Sequence, residues 1–320
     1  IGSSDEVVGY HIQGKAGSLT AQPVWNLAAP EGSQLVIASQ VPSKPFSPAL
    51  VLGNRSALYK YINPGLLGVA IAKKNTASDG TDVVECTLLD SVTGQVLVRR
   101  VVRNASPPLV VHTFEHTAIF SYWNVKLHRF EVLSMQLFEP QIDYTNDKFS
   151  SFSHTLPIVL QNSFVLTQKI THLTSMRTKH GLAGQYLVMG LQSGDIASVP
   201  HMFLDPRRPP PDQITKEEQK EGLMVYTPYL SLPATSIISY NQPIAQLSHL
   251  QSYSTQLEST SLIIAHGIDL FYRQLQPSAF DELSHDFNHE ALILAITTAI
   301  ILTLIVQRMS HRKTAVFGWQ

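Results

Sequence analysis

The segment that decides the organisation of this chain is Ala291–Val306, which reads ALILAITTAIILTLIV. It contains no charged residue, and threonine is its only polar residue type. In a helix that rises 1.5 Å per residue, these sixteen residues span about 24 Å, and Gln307 with the turn before Ala291 extends them to a thin bilayer core of about 27 Å. Buried core helices more often explain shorter apolar runs, of about 10–14 residues. We therefore predict a transmembrane helix over residues 291–307.

The charges on either side of this helix predict its orientation. Acidic residues precede it and basic residues follow it: Asp281, Glu282, Asp286 and Glu290 before, and Arg308, Arg312 and Lys313 after. The positive-inside rule then assigns residues 308–320 to a cytosolic tail and residues 1–280 to the opposite side, joined by a juxtamembrane linker at 281–290. This topology is single-pass type I. The chain opens on Ile1 without a targeting signal, so we expect the large domain to be incomplete at its N-terminus.

Two sequons lie in the part of the chain that this topology places outside the cytosol. They are Asn54-Arg55-Ser56 and Asn104-Ala105-Ser106. Both asparagines are candidate N-glycosylation sites, and the domain is a candidate glycoprotein.

Composition excludes several classes of function. Of 320 residues, 44% are hydrophobic and 15% charged, and the net charge of −1 gives no reason to bind nucleic acid. The only cysteine, Cys86, cannot form an intrachain disulfide or a thiolate metal cluster. Its apolar, β-branched neighbours predict a buried position on a strand.

Residues 1–280 carry mainly β-strand patterns. Four pairs of apolar, β-branched runs flank short turns and predict hairpins: 83–90 with 95–102, 118–122 with 129–137, 186–191 with 196–199, and 261–265 with 270–275. Such hairpins without long amphipathic helices are typical of a sandwich, a barrel or a propeller. We predict an all-β, propeller-like domain, although the uneven spacing gives no blade count.

Three other segments have less regular patterns. Residues 64–74 fit either a strand or a helix, and residues 140–152 read as a polar linker. The proline-rich stretch 205–211 is predicted to be a surface loop, because proline cannot donate a ladder hydrogen bond. One helical turn is predicted at 215–219. This excursion is either a docking arm or a solvated insertion.

One short string resembles a catalytic motif. His112, Glu115 and His116 match H-x-x-E-H, a zinc-protease signature that requires both histidines on one helical face. Here the flanking residues predict a strand, on which both histidines would share a face and Glu115 would point away. His285 and His289, four residues apart before the membrane, lack a third ligand nearby. Nucleophile-elbow and phosphate-loop motifs are absent from the sequence, so we predict no enzyme, metal or cofactor.

Several segments, in order along the chain, resemble one known family. They are Val51–Pro64 (VLGNRSALYKYINP), Leu89–Gly94 (LDSVTG), Tyr122–Asn124 (YWN), Leu204–Pro209 (LDPRRP), Leu257–Thr260 (LEST) and Ala265–Leu270 (AHGIDL). Together they resemble subunit 1 of the endoplasmic reticulum membrane protein complex. His112 and His116 match none of these family segments.

The resemblance has implications for location and partners. It implies the C-terminal part of a larger subunit, with a lumenal propeller and one anchor in the endoplasmic reticulum membrane. It implies a non-catalytic scaffold in a complex that inserts tail-anchored and multipass membrane proteins. The partners would be the other subunits, client membrane proteins and the lipid bilayer.

The helix itself offers a surface for such partners. Ala291, Ala295 and Ala299 stand at i, i+4 and i+8 and form a stripe of small residues where another helix could approach closely. Two other functions stay open. One is a single-pass receptor or ligand-binding propeller, and the other is a membrane-anchored zinc hydrolase centred on His112 and His116.

Overall fold

The computed structural model describes residues 6–15, 18–30, 32–39, 47–73, 82–140, 150–152, 156–183, 185–277 and 287–317, with backbone only at 15, 39 and 312–317. The strands are β1 (Glu6–Lys15), β2 (Ser18–Ala28), β3 (Gln34–Ser39), β4 (Ala49–Val51), β5 (Ala57–Tyr59), β6 (Leu66–Lys73), β7 (Val83–Asp90), β8 (Val96–Arg103), β9 (Ala105–Phe114), β10 (Thr117–Asn124), β11 (Arg129–Phe138), β12 (Ile158–Leu166), β13 (Ile170–Ser175), β14 (Tyr186–Leu191), β15 (Ile196–Pro200), β16 (Tyr229–Leu230), β17 (His249–Ser254), β18 (Ser261–His266) and β19 (Leu270–Leu275). The α-helices are α1 (Lys216–Glu221) and α2 (His289–Phe317). Short 3₁₀ helices cover His201–Leu204, Pro211–Gln213 and Ala234–Ser236.

Four larger sheets follow one another along the described part of the chain. Sheet I has the order β3-β6-β7-β8, and sheet II the order β16-β12-β11-β10-β9. Sheet III is β13-β14-β15, and sheet IV is β17-β18-β19. Strands β1 and β2 form a separate ribbon, and β4 pairs with β5. Apart from the short parallel pair of β12 and β16, the ladders between the described strands are antiparallel.

The four predicted hairpins are confirmed, since β7–β8, β10–β11, β14–β15 and β18–β19 each pair antiparallel. Residues 64–74, for which strand and helix stayed open, contain strand β6. All but one of its residues are buried, because both of its faces lie against other sheets. A continuous apolar run of this kind does not distinguish a buried strand from a helix.

Alternating side chains give each sheet two apolar faces, and successive sheets pack face to face. Sheets I and II bury one core between them, which includes Cys86 and Phe120. Sheets II and III bury a second, with Ile119 and Met189, and sheets III and IV bury a third, with Val188. The ribbon covers the other face of sheet I. The layers therefore run in the order ribbon, I, II, III, IV.

The first strands of successive sheets also touch. Strand β9 contacts β3 and β6 of sheet I, while β13 contacts both β9 and β17. Contact between the leading strands of consecutive antiparallel sheets is the arrangement found around a propeller axis. The predicted all-β, propeller-type fold is confirmed.

Trp25 attaches the ribbon to sheet I. Its indole Nε1 donates a hydrogen bond to the carbonyl oxygen of Ser91, 3.0 Å away, in the β7–β8 turn. Its ring lies against Gly94, where any Cβ would clash with it. Gly94 also has φ +73°, a left-handed conformation that glycine adopts without strain.

The prediction of a surface loop at 205–211 is wrong for its first half. Asp205, Pro206, Arg208 and Pro209 are buried. Proline does not form ladder bonds, but the segment packs beneath sheet II through the side chain of Arg208 instead. The predicted turn at 215–219 belongs to α1, whose Thr215 and Glu218 form a capping box.

The chain divides into two compact units, residues 1–280 and 281–320. The second contains α2, which begins two residues before the predicted span of 291–307 and continues into the predicted tail at 308–320. Residues 141–149 of the predicted polar linker lie outside the described residues. So do residues 281–286 of the predicted juxtamembrane linker, which include His285.

Candidate functional site

Helix α2 is long and apolar enough to cross a membrane. Its candidate span, His289–His311, has 23 residues and a mean hydropathy of 2.1, and none of it is buried within the structure. At 1.5 Å per residue it is about 35 Å long. Asn288 caps it, accepting a hydrogen bond from the N–H of Ala291 at 2.9 Å. Large side chains such as Ile293 and Leu294 are exposed, so only lipid or another protein can cover them.

The threonine hydroxyl groups of α2 donate hydrogen bonds to backbone carbonyls of the same helix. Thr297 and Thr298 each donate to the carbonyl three residues earlier, at 2.9 Å, and Thr303 donates to Ala299 O at 2.7 Å. Internal bonding of this kind makes threonine tolerable in an apolar environment. Ala291, Ala295 and Ala299 are all exposed along the helix.

The two sequon asparagines differ in their surroundings. Asn54 is exposed, and its Oδ1 accepts hydrogen bonds from the N–H (2.8 Å) and Oγ (2.6 Å) of Ser56. Asn104 is half-buried between β8 and β9 in a left-handed conformation, φ +57°. Its carbonyl accepts from the N–H of Val125 at 2.8 Å. Asn54 is therefore the more accessible of the two.

The His112–His116 string is neither a helix nor one continuous strand. His112 lies on β9, but that strand ends at Phe114, and the backbone turns at Glu115 with φ +46°. The prediction that His116 shares a strand face with His112 is therefore wrong. Burial, assisted by Arg177, lowers the pKa of His112 to about 4. Within the described residues, no group of three or more His, Cys, Asp or Glu side chains could hold a metal ion.

Glu115 belongs to a buried ion pair instead. Its Oε2 lies 3.0 Å from Lys60 Nζ, and both side chains are almost completely buried. Its Oε1 accepts a hydrogen bond from Gln185 Nε2 at 2.6 Å. Lys60 follows β5 and bridges to Phe138 of β11 in sheet II, Glu115 forms the β9–β10 turn of the same sheet, and Gln185 precedes β14 of sheet III. These contacts thus connect the segment after β5 with sheets II and III.

Glu258 organises the segment before β14. Its carboxylate accepts hydrogen bonds from Thr178 Oγ1 (2.7 Å) and from the N–H groups of His180, Leu182 and Ala183. Burial alone would raise the pKa of Glu258, but these hydrogen bonds outweigh burial and lower it below 4.5. Residues 178–183 lie in no strand, so the carboxylate provides the hydrogen-bond acceptors that a neighbouring strand would otherwise provide.

Arg208 and its neighbours hold the proline-rich segment. The Arg208 guanidinium donates to the carbonyls of Val225 and Phe203 and to Thr227 Oγ1, and it lies 5.5 Å from the ring centroid of Phe164. Arg207 forms ion pairs with Asp205 at 3.0 Å and with Glu221 at 2.5 Å. These charges serve the structure of the loop.

One cavity opens beside the Lys60–Glu115 pair. It has a volume of about 540 Å³, and its lining includes Phe114, Glu115, Arg177 and Tyr186. A smaller cavity of about 370 Å³ shares Phe114 and Arg177 with it and extends towards Tyr253. Both lie among the leading strands of sheets II, III and IV.

The layered sheets and the apolar helix define a β-propeller protein with one candidate membrane span. The family described as ER membrane protein complex subunit 1, second beta-propeller, matches residues 2–278. The chain belongs to this family.

Relatives named ER membrane protein complex subunit 1 come from distant organisms. The chain is 31% identical to the protein of Gallus gallus over 307 residues and 32% identical to that of Xenopus laevis over 308 residues, covering 94% of this chain and 31% of each relative. It is 27% identical to the protein of Schizosaccharomyces pombe over 337 residues, covering 99% of this chain and 36% of the relative. The chain thus spans about a third of the length of these relatives.

Sequence patterns did not reveal the buried charges. Lys60, Arg208 and Glu258 appeared only within the segments that carry the family resemblance. The sequence feature that could have indicated a buried charge is a charged residue directly beside apolar residues, as in Leu58–Ile62. Its partner was not deducible, because Lys60 and Glu115 stand 55 residues apart.

Proposed function

We propose that this chain is part of a non-catalytic scaffold subunit of the endoplasmic reticulum membrane protein complex, which supports the insertion of tail-anchored and multipass membrane proteins. The observation that carries this proposal is that the buried charged side chains of the propeller bind other parts of the same domain. Lys60, Glu115, Arg208 and Glu258 all bind one another or the backbone across sheets and loops. Buried charges that are satisfied in this way fix strands and loops relative to one another, which suits a scaffold.

Helix α2 is proposed to anchor this body, with residues 1–280 lumenal and residues 308–320 cytosolic. The basic residues Arg308, Arg312 and Lys313 after the apolar span support this orientation. The domain boundaries proposed from the sequence, 281–290 for the linker and 291–307 for the membrane helix, belong to the same proposal. Other subunits, client proteins and the bilayer are the proposed partners.

Glycosylation tests the lumenal assignment. When the protein is expressed in cells, we expect Asn54 to carry a glycan, because its side chain is exposed. Glycosidase treatment should then shift the protein to faster migration on a gel, and Asn54→Gln should abolish that shift. Ser56→Thr should keep it, and Asn104→Gln serves as the matched control. If residues 1–280 carry no glycan and are digested by protease added to sealed microsomes, the domain is cytosolic and the orientation is wrong.

The alanine stripe tests the assembly. We expect the amount of other membrane proteins that co-purify in mild detergent to fall about tenfold with the triple variant Ala291→Leu, Ala295→Leu, Ala299→Leu. The reason is that larger side chains keep a neighbouring helix at a distance, which costs on the order of 1.4 kcal/mol. Quantitative mass spectrometry of the co-purified proteins measures the loss.

Thr297→Leu is the control for the stripe, since it lies about 200° around the helix from Ala295. It should leave co-purification unchanged, and carbonate washing should extract neither variant from membranes. Equal recovery of partners with the triple variant would show that the stripe faces lipid. A chain that carbonate releases from membranes would overturn the anchor itself.

A ligand-binding propeller is the second candidate, and the cavity of about 540 Å³ is the observation that favours it. Co-purification separates the two functions. A stable assembly of several membrane proteins supports the scaffold, whereas a single chain bound to a soluble ligand supports the receptor.

A further inference from the structure

Arg177, in the segment after β13, differs from the other arginines that are at least partly buried in the described part of the chain. Arg129 and Arg207 form ion pairs with carboxylates, and Arg208 and Arg273 donate hydrogen bonds to backbone carbonyls. Among the described residues, the guanidinium of Arg177 has no such ion pair or hydrogen bond. A guanidinium that is partly withdrawn from water without a partner is a candidate for binding an anion from outside the fold.

The position of Arg177 places it on the wall of both cavities that lie among the leading strands of sheets II, III and IV. Its backbone N–H donates a hydrogen bond to Ser252 Oγ at 2.9 Å, which holds the residue against sheet IV. After burial, the charge of Arg177 is the second cause of the lowered pKa of His112, which lines the smaller cavity. The guanidinium therefore acts on the wall of the smaller cavity.

The lining of the smaller cavity carries positive charge without a compensating acid. Among the described residues that line it, Arg177 is the only Asp, Glu, Lys or Arg. The larger cavity adds Lys179, and its one carboxylate from the described residues, that of Glu115, is engaged in the ion pair with Lys60. Glu258 lines neither cavity. Polar side chains that can donate hydrogen bonds complete the smaller lining: Thr113, Thr174, Ser175, Gln251, Ser252 and Tyr253.

The residue types of the lining indicate the class of anion. One planar guanidinium matches one carboxylate, whose two oxygens accept two parallel N–H bonds. A phosphate carries nearly two negative charges and is typically matched by a cluster of arginines. Phe114, Met176 and Tyr186 line the larger cavity together with Arg177 and offer apolar contacts. The cavity volumes of about 370 and 540 Å³ are those of sites for small ligands.

We propose that the two cavities form a binding site for a carboxylate joined to an apolar group, in which Arg177 binds the carboxylate and Phe114 and Tyr186 contact the apolar part. The group is either a small aromatic acid or an acidic side chain of a peptide segment that enters the cavity. The proposal deepens the second candidate function, a ligand-binding propeller, and does not rest on the scaffold function. Co-purification decides between those two functions, whereas ligand binding decides this site.

Binding of matched probes to the complete chain in mild detergent tests the site. Ligand-observed NMR titration measures the affinity for 3-phenylpropionate and for its uncharged counterpart 3-phenylpropionamide. A capped dipeptide of phenylalanine and glutamate, compared with its glutamine counterpart, represents a peptide side chain. Arg177→Gln removes the guanidinium, and Arg177→Lys keeps a charge without the planar fork. Arg100→Gln, at an exposed position of β8, is the matched control.

We expect at least one of the two acids to bind the wild type about tenfold more tightly than its uncharged counterpart, because only the acid pairs with the guanidinium. Arg177→Gln should abolish this difference, Arg177→Lys should retain part of it, and Arg100→Gln should leave it unchanged. Binding of 3-phenylpropionate alone supports a site for a small acid. Tighter binding of the dipeptide supports a site for a peptide side chain.

Three results would overturn the proposal. The first is that neither acid binds the wild type at millimolar concentration, and the second is equal affinity for each acid and its uncharged counterpart. The third is unchanged binding of the acids by Arg177→Gln. The comparison of acid with uncharged counterpart needs only the wild type, so it decides the proposal even if the variant does not fold.

Discussion

Replacing Glu258 with alanine is expected to lower the free energy of unfolding of the β domain by about 3–5 kcal/mol. The substitution leaves the N–H groups of His180, Leu182 and Ala183 without the carboxylate that accepts their hydrogen bonds. The N–H of Ala183 is buried and the other two are partly buried; an unsatisfied buried group costs about 1–3 kcal/mol, and bonds to a charged acceptor lie at the upper end. Pulse proteolysis of the detergent-solubilised chain in urea measures the change.

The effect of Glu258 also depends on pH. Its pKa is lowered in the folded protein, so its carboxylate stabilises the fold above the unfolded pKa of about 4.5. This contribution is lost as the pH falls through the lower, folded pKa. The difference in unfolding free energy between the wild type and Glu258→Gln should therefore be largest near neutral pH and shrink below about pH 4.5.

Glu217→Ala is the control, because Glu217 is exposed on α1 and should change stability by less than about 0.5 kcal/mol. If Glu258→Ala unfolds at the same urea concentration as the control, the carboxylate does not hold residues 178–183. A difference that stays constant from about pH 7 to about pH 3 would remove the assigned role of its charge.

Breaking the Lys60–Glu115 pair is expected to have a similar effect. Glu115→Gln leaves the Lys60 ammonium group buried without its counter-charge, and Lys60→Met does the same to the carboxylate. Removing one partner of a buried ion pair typically costs about 3–5 kcal/mol. Urea denaturation followed by tryptophan fluorescence measures each variant.

The double variant Lys60→Met, Glu115→Gln distinguishes a charge effect from a packing effect. It leaves no charge at either of these two positions, so we expect it to be more stable than the sum of the single losses predicts, by at least about 1 kcal/mol. Strict additivity of the two losses would show that the two side chains act independently. The ion pair would then not be what holds the segment after β5 against sheet II.

The strands were predictable because their patterns are local. The apolar, β-branched runs on either side of residues 91–94, 192–195 and 266–269 end in turn residues, so each hairpin follows from local composition and turn chemistry. Strand β6 stayed ambiguous, since burial on both faces removes the alternation. The left-handed turn at Glu115 was not predictable, because an uncommon backbone conformation depends on its contacts with Lys60 and Gln185.

The sequence alone determined that the chain is all-β with one apolar helix of membrane-spanning length, because length, hydropathy and period are properties of neighbouring residues. Only the tertiary structure decided that Arg208, Pro206 and Pro209 are buried and that Glu258 anchors residues 178–183. Those features depend on residues that lie far apart in the chain and meet only when the sheets pack, so no local pattern encodes them.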